Sequence, residues 1–96
     1  MVTMVINDVS IDMELDSGSP VSLMPRKAFE KLFKSIDLLE SDVQLATYTG
    51  ESLNVCGYLP AVVKYEGQSH SLKLYIVNSG HSTLLGRDWL QKIKLH

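Results

Sequence analysis

Eight consecutive residues, Val9 to Asp16, alternate without a break: Val9, Ile11, Met13 and Leu15 are apolar, while Ser10, Asp12, Glu14 and Asp16 are polar. A period of two over that length describes a β-strand with one face on a core and the other on water or a cleft. The pattern commits the chain to sheet. It also places Asp16 last on the polar face, with Glu14 two residues back and pointing the same way. The strand then runs into Ser17-Gly18-Ser19-Pro20, residue types that favour turns. Three readings of this junction stand open: an ordinary loop, a carboxylate at Asp16 that does acid–base chemistry, or a nucleophile at Ser17.

The remaining sequence is also mostly β. Val2 to Ile6 reads as a short strand, joined to the alternating run by Asn7-Asp8, a pair suited to a tight hairpin turn. Val21 to Met24 is a further strand-like run. Pro25 suits the first position of a helix that continues to Phe33, with Ala28, Phe29, Leu32 and Phe33 on one face. Lys34 to Ser41 reads as a connection. Val43 to Thr49 and Ser52 to Tyr65 form a hairpin whose small, polar tip (Tyr48, Thr49, Gly50, Glu51) projects, and Gly57 marks a bulge or bend in its second arm. Glu66-Gly67-Gln68 is another turn. Leu72, Leu74 and Ile76 then alternate with Lys73 and Tyr75. After the loop Asn78 to Ser82, Thr83-Leu84-Leu85 is a short buried strand, Gly86 lets the backbone turn, and Arg87 to Ile93 is a helical turn or two.

Composition narrows the function classes. The 96 residues make one domain, residues 1–96, which buries roughly 60–65% of its unfolded surface. Apolar residues at 45% and charged residues at 21% are ordinary for a folded globular chain. A net charge of −2 leaves no electrostatic footprint for nucleic acid or an anionic membrane, and no apolar run approaches the roughly 20 residues of a bilayer span. Neither partner is expected. The first residues lack the basic region of a signal peptide. The lone Cys56 excludes an internal disulfide, fits a reducing compartment and reads as an apolar filler in a strand. His70, His81 and His96 have no metal-ligand spacing, so neither a metal nor another cofactor is expected.

The ordered combination of motifs resembles the retropepsins, the aspartic proteases of retroviruses and retrotransposons, and most closely the Ty3/Gypsy type. Leu15-Asp16-Ser17-Gly18-Ser19 is similar to the family's Asp-Thr/Ser-Gly-Ala/Ser signature. Thr47-Tyr48-Thr49-Gly50-Glu51 is similar to the flap, and Leu84-Leu85-Gly86-Arg87-Asp88-Trp89-Leu90 to the stretch that closes the fold below the catalytic loop. The resemblance implies a small, closed, barrel-like acid-protease fold, mostly β, with one short central helix region and a short C-terminal helix. It implies Asp16 as the catalytic residue, with Ser17 bracing the loops across a dimer and Gly18 allowing close approach. Glu14, Ser19, Tyr48, Thr49 and Gly50 are then substrate-binding, and Leu84, Leu85, Gly86 and Arg87 close the fold.

Hydrolysis by paired carboxylates needs two aspartates, one ionised to activate water and one protonated to polarise the carbonyl. The chain has a single Asp-Ser-Gly, so the second carboxylate comes from a second copy in a C₂ homodimer. The substrate is an extended peptide, part of a Gag-Pol-like polyprotein from which the domain itself derives, and the setting is intracellular: cytoplasm or a virus-like particle. The alternative is a domesticated or degenerate domain of the same fold that serves in dimerisation or peptide binding. A trypsin-like serine site is disfavoured, because no histidine precedes Ser17 and residue 15 is Leu. Three smaller expectations accompany these. Arg87 lacks its usual acidic partner, since Pro20 holds that place, and is left to Asp12, Glu14, Asp88 or solvent. Trp89 belongs to the core. The chain runs only a few residues past its last helix, which implies a short terminal sheet and a dimer weaker than the retroviral ones.

Overall fold

The computed structural model describes residues 1–33, 37–40, 45–46, 52–53, 55–78 and 82–95. Its strands are β1 (Val2–Ile6), β2 (Val9–Leu15), β3 (Leu23–Pro25), β4 (Leu45–Ala46), β5 (Ser52–Leu53), β6 (Val55–Tyr65), β7 (Gln68–Val77) and β8 (Leu84–Leu85). Two helices, α1 (Arg26–Leu32) and α2 (Arg87–Leu90), complete the described elements. Six strands close into a barrel in the order β1-β2-β8-β3-β7-β6, and β4-β5 form a separate two-stranded sheet. This is the mostly-β barrel with two short helices that the sequence implies.

Two tight turns set the barrel's hairpins. Asn7 (φ 48°) and Asp8 (φ 69°) both take positive φ, the primed geometry that matches strand twist and that Asn and Asp tolerate. They fix the β1–β2 register from Val2 opposite Met13 to Ile6 opposite Val9. Asn7 also laces β1 to β6: its side-chain oxygen accepts from the Val62 N–H at 2.8 Å and its amide donates to the Pro60 carbonyl at 3.2 Å. Glu66 (φ 44°) and Gly67 (φ 80°) make the second turn, between β6 and β7. Closure comes where Val5 pairs with Lys64 and Ile6 with Val63.

The alternation in β2 holds as far as Glu14 and fails at Leu15, which the pattern assigns to the core and which is 52% exposed. Ile11 and Met13 are buried, whereas Ser10, Asp12 and Glu14 are exposed. They join Met4, Leu59, Leu74, Leu85 and Trp89 in the main core. In β7 the pattern misleads. Leu74 and Ile76 enter the core as expected, but Tyr75 on the opposite face is buried as well. It packs with Leu23 and Val77 in a second apolar cluster that Val21, Val55, Tyr58 and Leu84 border.

Three local readings need correction. Pro25 ends β3 and caps α1 (φ −62°, ψ 143°) instead of opening it; its locked φ serves the extended residue that precedes the helix. Leu32 is 39% exposed, because α1 faces the core along the Phe29–Phe33 line, whose rings stack 5.9 Å apart. The terminal helix is only α2, although backbone bonds from Lys92 and Ile93 to the Trp89 carbonyl carry the coil on far enough to bury Ile93. Cys56 is the expected filler, half-buried in β6 against the main core, and its thiol also donates to the Asn78 side-chain oxygen at 3.1 Å. Gly57 is the expected bulge: pairing shifts from Val55–Val77 to Gly57–Ile76 at φ 152°, and a Cβ there would stand 2.5 Å from the Leu39 carbonyl oxygen.

The mid-chain hairpin pairs Leu45 with Leu53 and Ala46 with Ser52. Its tip, with Tyr48, Thr49, Gly50 and Glu51, lies outside the described residues, as does His81.

Candidate active site

β2 runs parallel to β8, and this pairing delivers Asp16. The Glu14 N–H donates to the Thr83 carbonyl at 2.8 Å, and the Asp16 N–H donates to the Leu85 carbonyl at 3.0 Å. The ladder thus continues one residue beyond β2. Residues two apart that donate to carbonyls two apart share a face, so Glu14 and Asp16 lie together on the face turned away from Ile11 and Met13. Glu14 is exposed and Asp16 half-buried.

The turn then folds back on the carboxylate. The Gly18 N–H donates to Asp16 Oδ1 at 3.0 Å and the Ser19 N–H to the Asp16 carbonyl at 3.1 Å. The side chain imitates a turn of backbone, as Asp side chains do, and its orientation is thereby fixed. Ser17 and Gly18 are exposed. The Ser19 hydroxyl donates to the Val21 carbonyl at 2.7 Å, so it is engaged within its own loop.

Beneath the turn lies a buried floor. The Arg87 N–H donates to the Ser19 carbonyl at 2.8 Å and the Asp88 N–H to the Pro20 carbonyl at 3.2 Å. Gly86 precedes them in extended backbone (φ −96°, ψ −178°), so it is not required for a turn. Close approach requires it: a Cβ would stand 2.3 Å from the Val21 carbonyl oxygen and 2.9 Å from that of Ser19. Ser22 is fully buried. Its hydroxyl accepts from the Gly86 N–H at 2.9 Å and donates to Asp88 Oδ1 at 2.9 Å. The same oxygen accepts the Ser22 N–H at 2.8 Å and the Trp89 N–H at 2.8 Å. Burial pushes the Asp88 carboxyl above the ordinary carboxylate range, against the opposing pull of the bonds from Ser22 and Trp89. Trp89 is core, as expected, and its indole N–H donates to the Lys73 carbonyl at 2.9 Å.

The structure therefore brings Glu14, Asp16, Ser17, Gly18 and Ser19 together with Leu84, Leu85, Gly86 and Arg87 at one end of β2. Arg87 is exposed, and among the described residues the ion pair formed is Arg26–Glu30, so Arg87 is solvated. Asp88 turns inward to Ser22 instead. Sequence reading missed Ser22, and it named Asp88 as part of the fold-closing stretch and a candidate partner of Arg87, not as the acceptor at the centre of this floor. The available signal was slight: one hydroxyl inside the apolar run Val21 to Met24, and an acid in the first turn of a helix.

The aspartyl protease family profile matches residues 2–89. No curated protein matches the chain. Among solved structures the chain is similar to EIAV protease in complex with the inhibitor HBY-793, at 21% identity and a TM-score of 0.78 over 98% of this chain and 90% of that one. It is also similar to the retroviral protease-like domain of Ddi1 from Leishmania major, at 20% identity and a TM-score of 0.67 over 95% and 74%. A retropepsin-like aspartic protease from Rickettsia conorii gives 19% identity and a TM-score of 0.66 over 97% and 70%. At these identities the solved structures establish the fold, and the profile, which spans all but a few residues, establishes the lineage. The chain belongs to the aspartyl protease family, in its retropepsin-like form.

Proposed function

We propose that the chain is an aspartic endopeptidase that works as a homodimer, with Asp16 from each copy forming one catalytic pair. The observation that carries this reading is the delivery of Asp16. A single half-exposed carboxylate is oriented by the Gly18 N–H at a strand end, above a buried floor that holds the loop in place. One such loop cannot supply two carboxylates, and a two-fold axis beside it can. Leu15, adjacent to Asp16 and 52% exposed, is the apolar side chain that a second copy would cover.

In the pair, one carboxylate is ionised and takes a proton from water as the oxygen attacks the peptide carbonyl. The other is protonated and gives its proton to the carbonyl oxygen. Collapse of the tetrahedral species passes a proton to the leaving nitrogen. Ser17, exposed beside Asp16, braces the two loops across the axis, and Gly18 leaves room for the substrate backbone. The flap residues Tyr48, Thr49 and Gly50 close over an extended peptide. The substrate is a Gag-Pol-like polyprotein of a Ty3/Gypsy-type element, processed in the cytoplasm or in a virus-like particle.

Cleavage of such a peptide by the wild type and by Asp16→Asn, with and without pepstatin and at several protein concentrations, tests the reading. Expected are a pepstatin-sensitive rate that falls away on both sides of a mildly acidic optimum, rises faster than linearly with protein and is lost in Asp16→Asn. Equal rates for the two proteins, or no turnover from acid to neutral pH, would place the chain among peptide-binding relatives.

A further inference from the structure

Glu14 shares its face of β2 with Asp16, about 7 Å away along the strand. Its register partner is Leu84 on β8, so these two side chains stand next to each other across a strand spacing of about 4.8 Å. Leu84 is half-buried against the cluster of Leu23, Tyr75 and Val77. Glu14 is exposed, and among the described residues no Lys or Arg pairs with it. Asp12, the preceding acid on that face, already accepts a bond from the Thr3 hydroxyl. The surface beside Asp16 therefore offers one uncommitted carboxylate next to an aliphatic wall.

We propose that Glu14 makes the peptide groove selective for lysine or arginine at the substrate position that adjoins the scissile bond; this rests on the reading of Asp16 as the hydrolytic carboxylate. A long basic side chain satisfies both neighbours at once. Its methylene stem lies against Leu84, and its charged tip reaches the Glu14 carboxylate. Substrate displaces water from the groove, so the pair is stronger there than at an open surface. A glutamate or aspartate at the same position meets a like charge and is rejected, which makes the selection two-sided. Two-fold symmetry adds a further consequence. Each copy contributes its own Glu14, so the basic preference appears at equivalent positions on both sides of the bond.

The test uses peptides identical except at the positions flanking the scissile bond, where they carry lysine, norleucine or glutamate. Each is made in a cleavable form and in a reduced, non-cleavable form. For the wild type, kcat/KM is expected to be about tenfold higher for lysine than for norleucine, which keeps the four-carbon stem without the ammonium group, and lowest for glutamate. The reduced peptides should bind in the same order by fluorescence anisotropy, with the lysine advantage shrinking as ionic strength rises. Glu14→Gln should bring the lysine-to-norleucine ratio close to one, and Glu14→Lys should move the preference to glutamate. Turnover with no charge preference overturns the role of Glu14 and leaves the aspartic protease reading standing. A charge-ordered binding series without turnover of any peptide does the reverse. Neither turnover nor ordered binding overturns both.

Discussion

The turn that carries Asp16 and the floor beneath it are made of opposite materials. In the turn, Ser17 and Gly18 are exposed and the hydrogen bonds are local, from Gly18 and Ser19 back to Asp16. In the floor, Ser22, Leu85 and Trp89 are buried, and the bonds of Ser22 with Gly86 and Asp88 join residues 64 and 66 positions apart in sequence. Reactive group and rigidity are thereby separated. The carboxylate faces outward, and its position is imposed by a segment from the far end of the chain. Substitutions in the turn should therefore change chemistry with little effect on stability, and substitutions in the floor should act first on stability.

The largest effect expected is at Asp16. Asp16→Asn retains an oxygen to accept the Gly18 N–H, so the turn survives, while acid–base chemistry is lost. Peptide cleavage should fall by about 10³-fold with the melting temperature nearly unchanged. A parallel fall in melting temperature would break the separation of chemistry from rigidity. Next is Gly86→Ala, whose new methyl would enter the space of the Val21 carbonyl oxygen. Backbone cannot yield as a side chain does, so a loss on the order of 3 kcal/mol is expected from urea unfolding. A stable Gly86→Ala protein with reduced turnover would show the floor to be tuned for activity and not for packing. Ser22→Ala follows, at about 2 kcal/mol, because it removes one partner each from the Gly86 N–H and from Asp88 Oδ1 inside the protein. Equilibrium unfolding of this variant measures how much of the floor's rigidity runs through one hydroxyl.

The two regions also differ in how far sequence revealed them. The approach to the turn was legible from Ser10 to Glu14, where a period-two pattern dictates which side chains share a face, but not at Leu15, which that pattern places in the core and which is exposed where β2 meets β8. Asn7-Asp8 and Gly57 were legible for a similar reason: the backbone geometry at each place is one that few residues adopt. The floor was not. Ser22 and Asp88 meet only once β3 and α2 are brought together by barrel closure, and no spacing rule links residues 66 apart. Gly86 was singled out for the wrong cause, since a glycine needed for close approach looks in sequence like one needed for a turn. Tyr75 failed likewise: alternation predicts one buried face, and β7 has apolar neighbours on both.

Asp88→Asn is the smallest effect expected and tests the floor most finely, because its sign depends on pH. One oxygen of Asp88 receives all three donors, the Ser22 N–H, the Ser22 hydroxyl and the Trp89 N–H. An asparagine oxygen can receive the same three, so the network persists in the variant. What changes is charge. Burial raises the Asp88 carboxyl above its unfolded value, so the folded protein holds this proton more tightly than the unfolded chain does. The stability contributed by that tighter hold is fully present below the unfolded value and is lost as pH rises through the folded one. Wild type and Asp88→Asn should therefore melt together in acid, where both carry a neutral side chain, and diverge toward neutral pH, where the amide avoids the desolvation of a carboxylate. Thermal unfolding across that range should show the asparagine variant ahead at neutral pH alone. A variant that is less stable at neutral pH would mean that the three donors favour the charged oxygen by more than burial opposes it, and that the floor is held by charge as well as by shape.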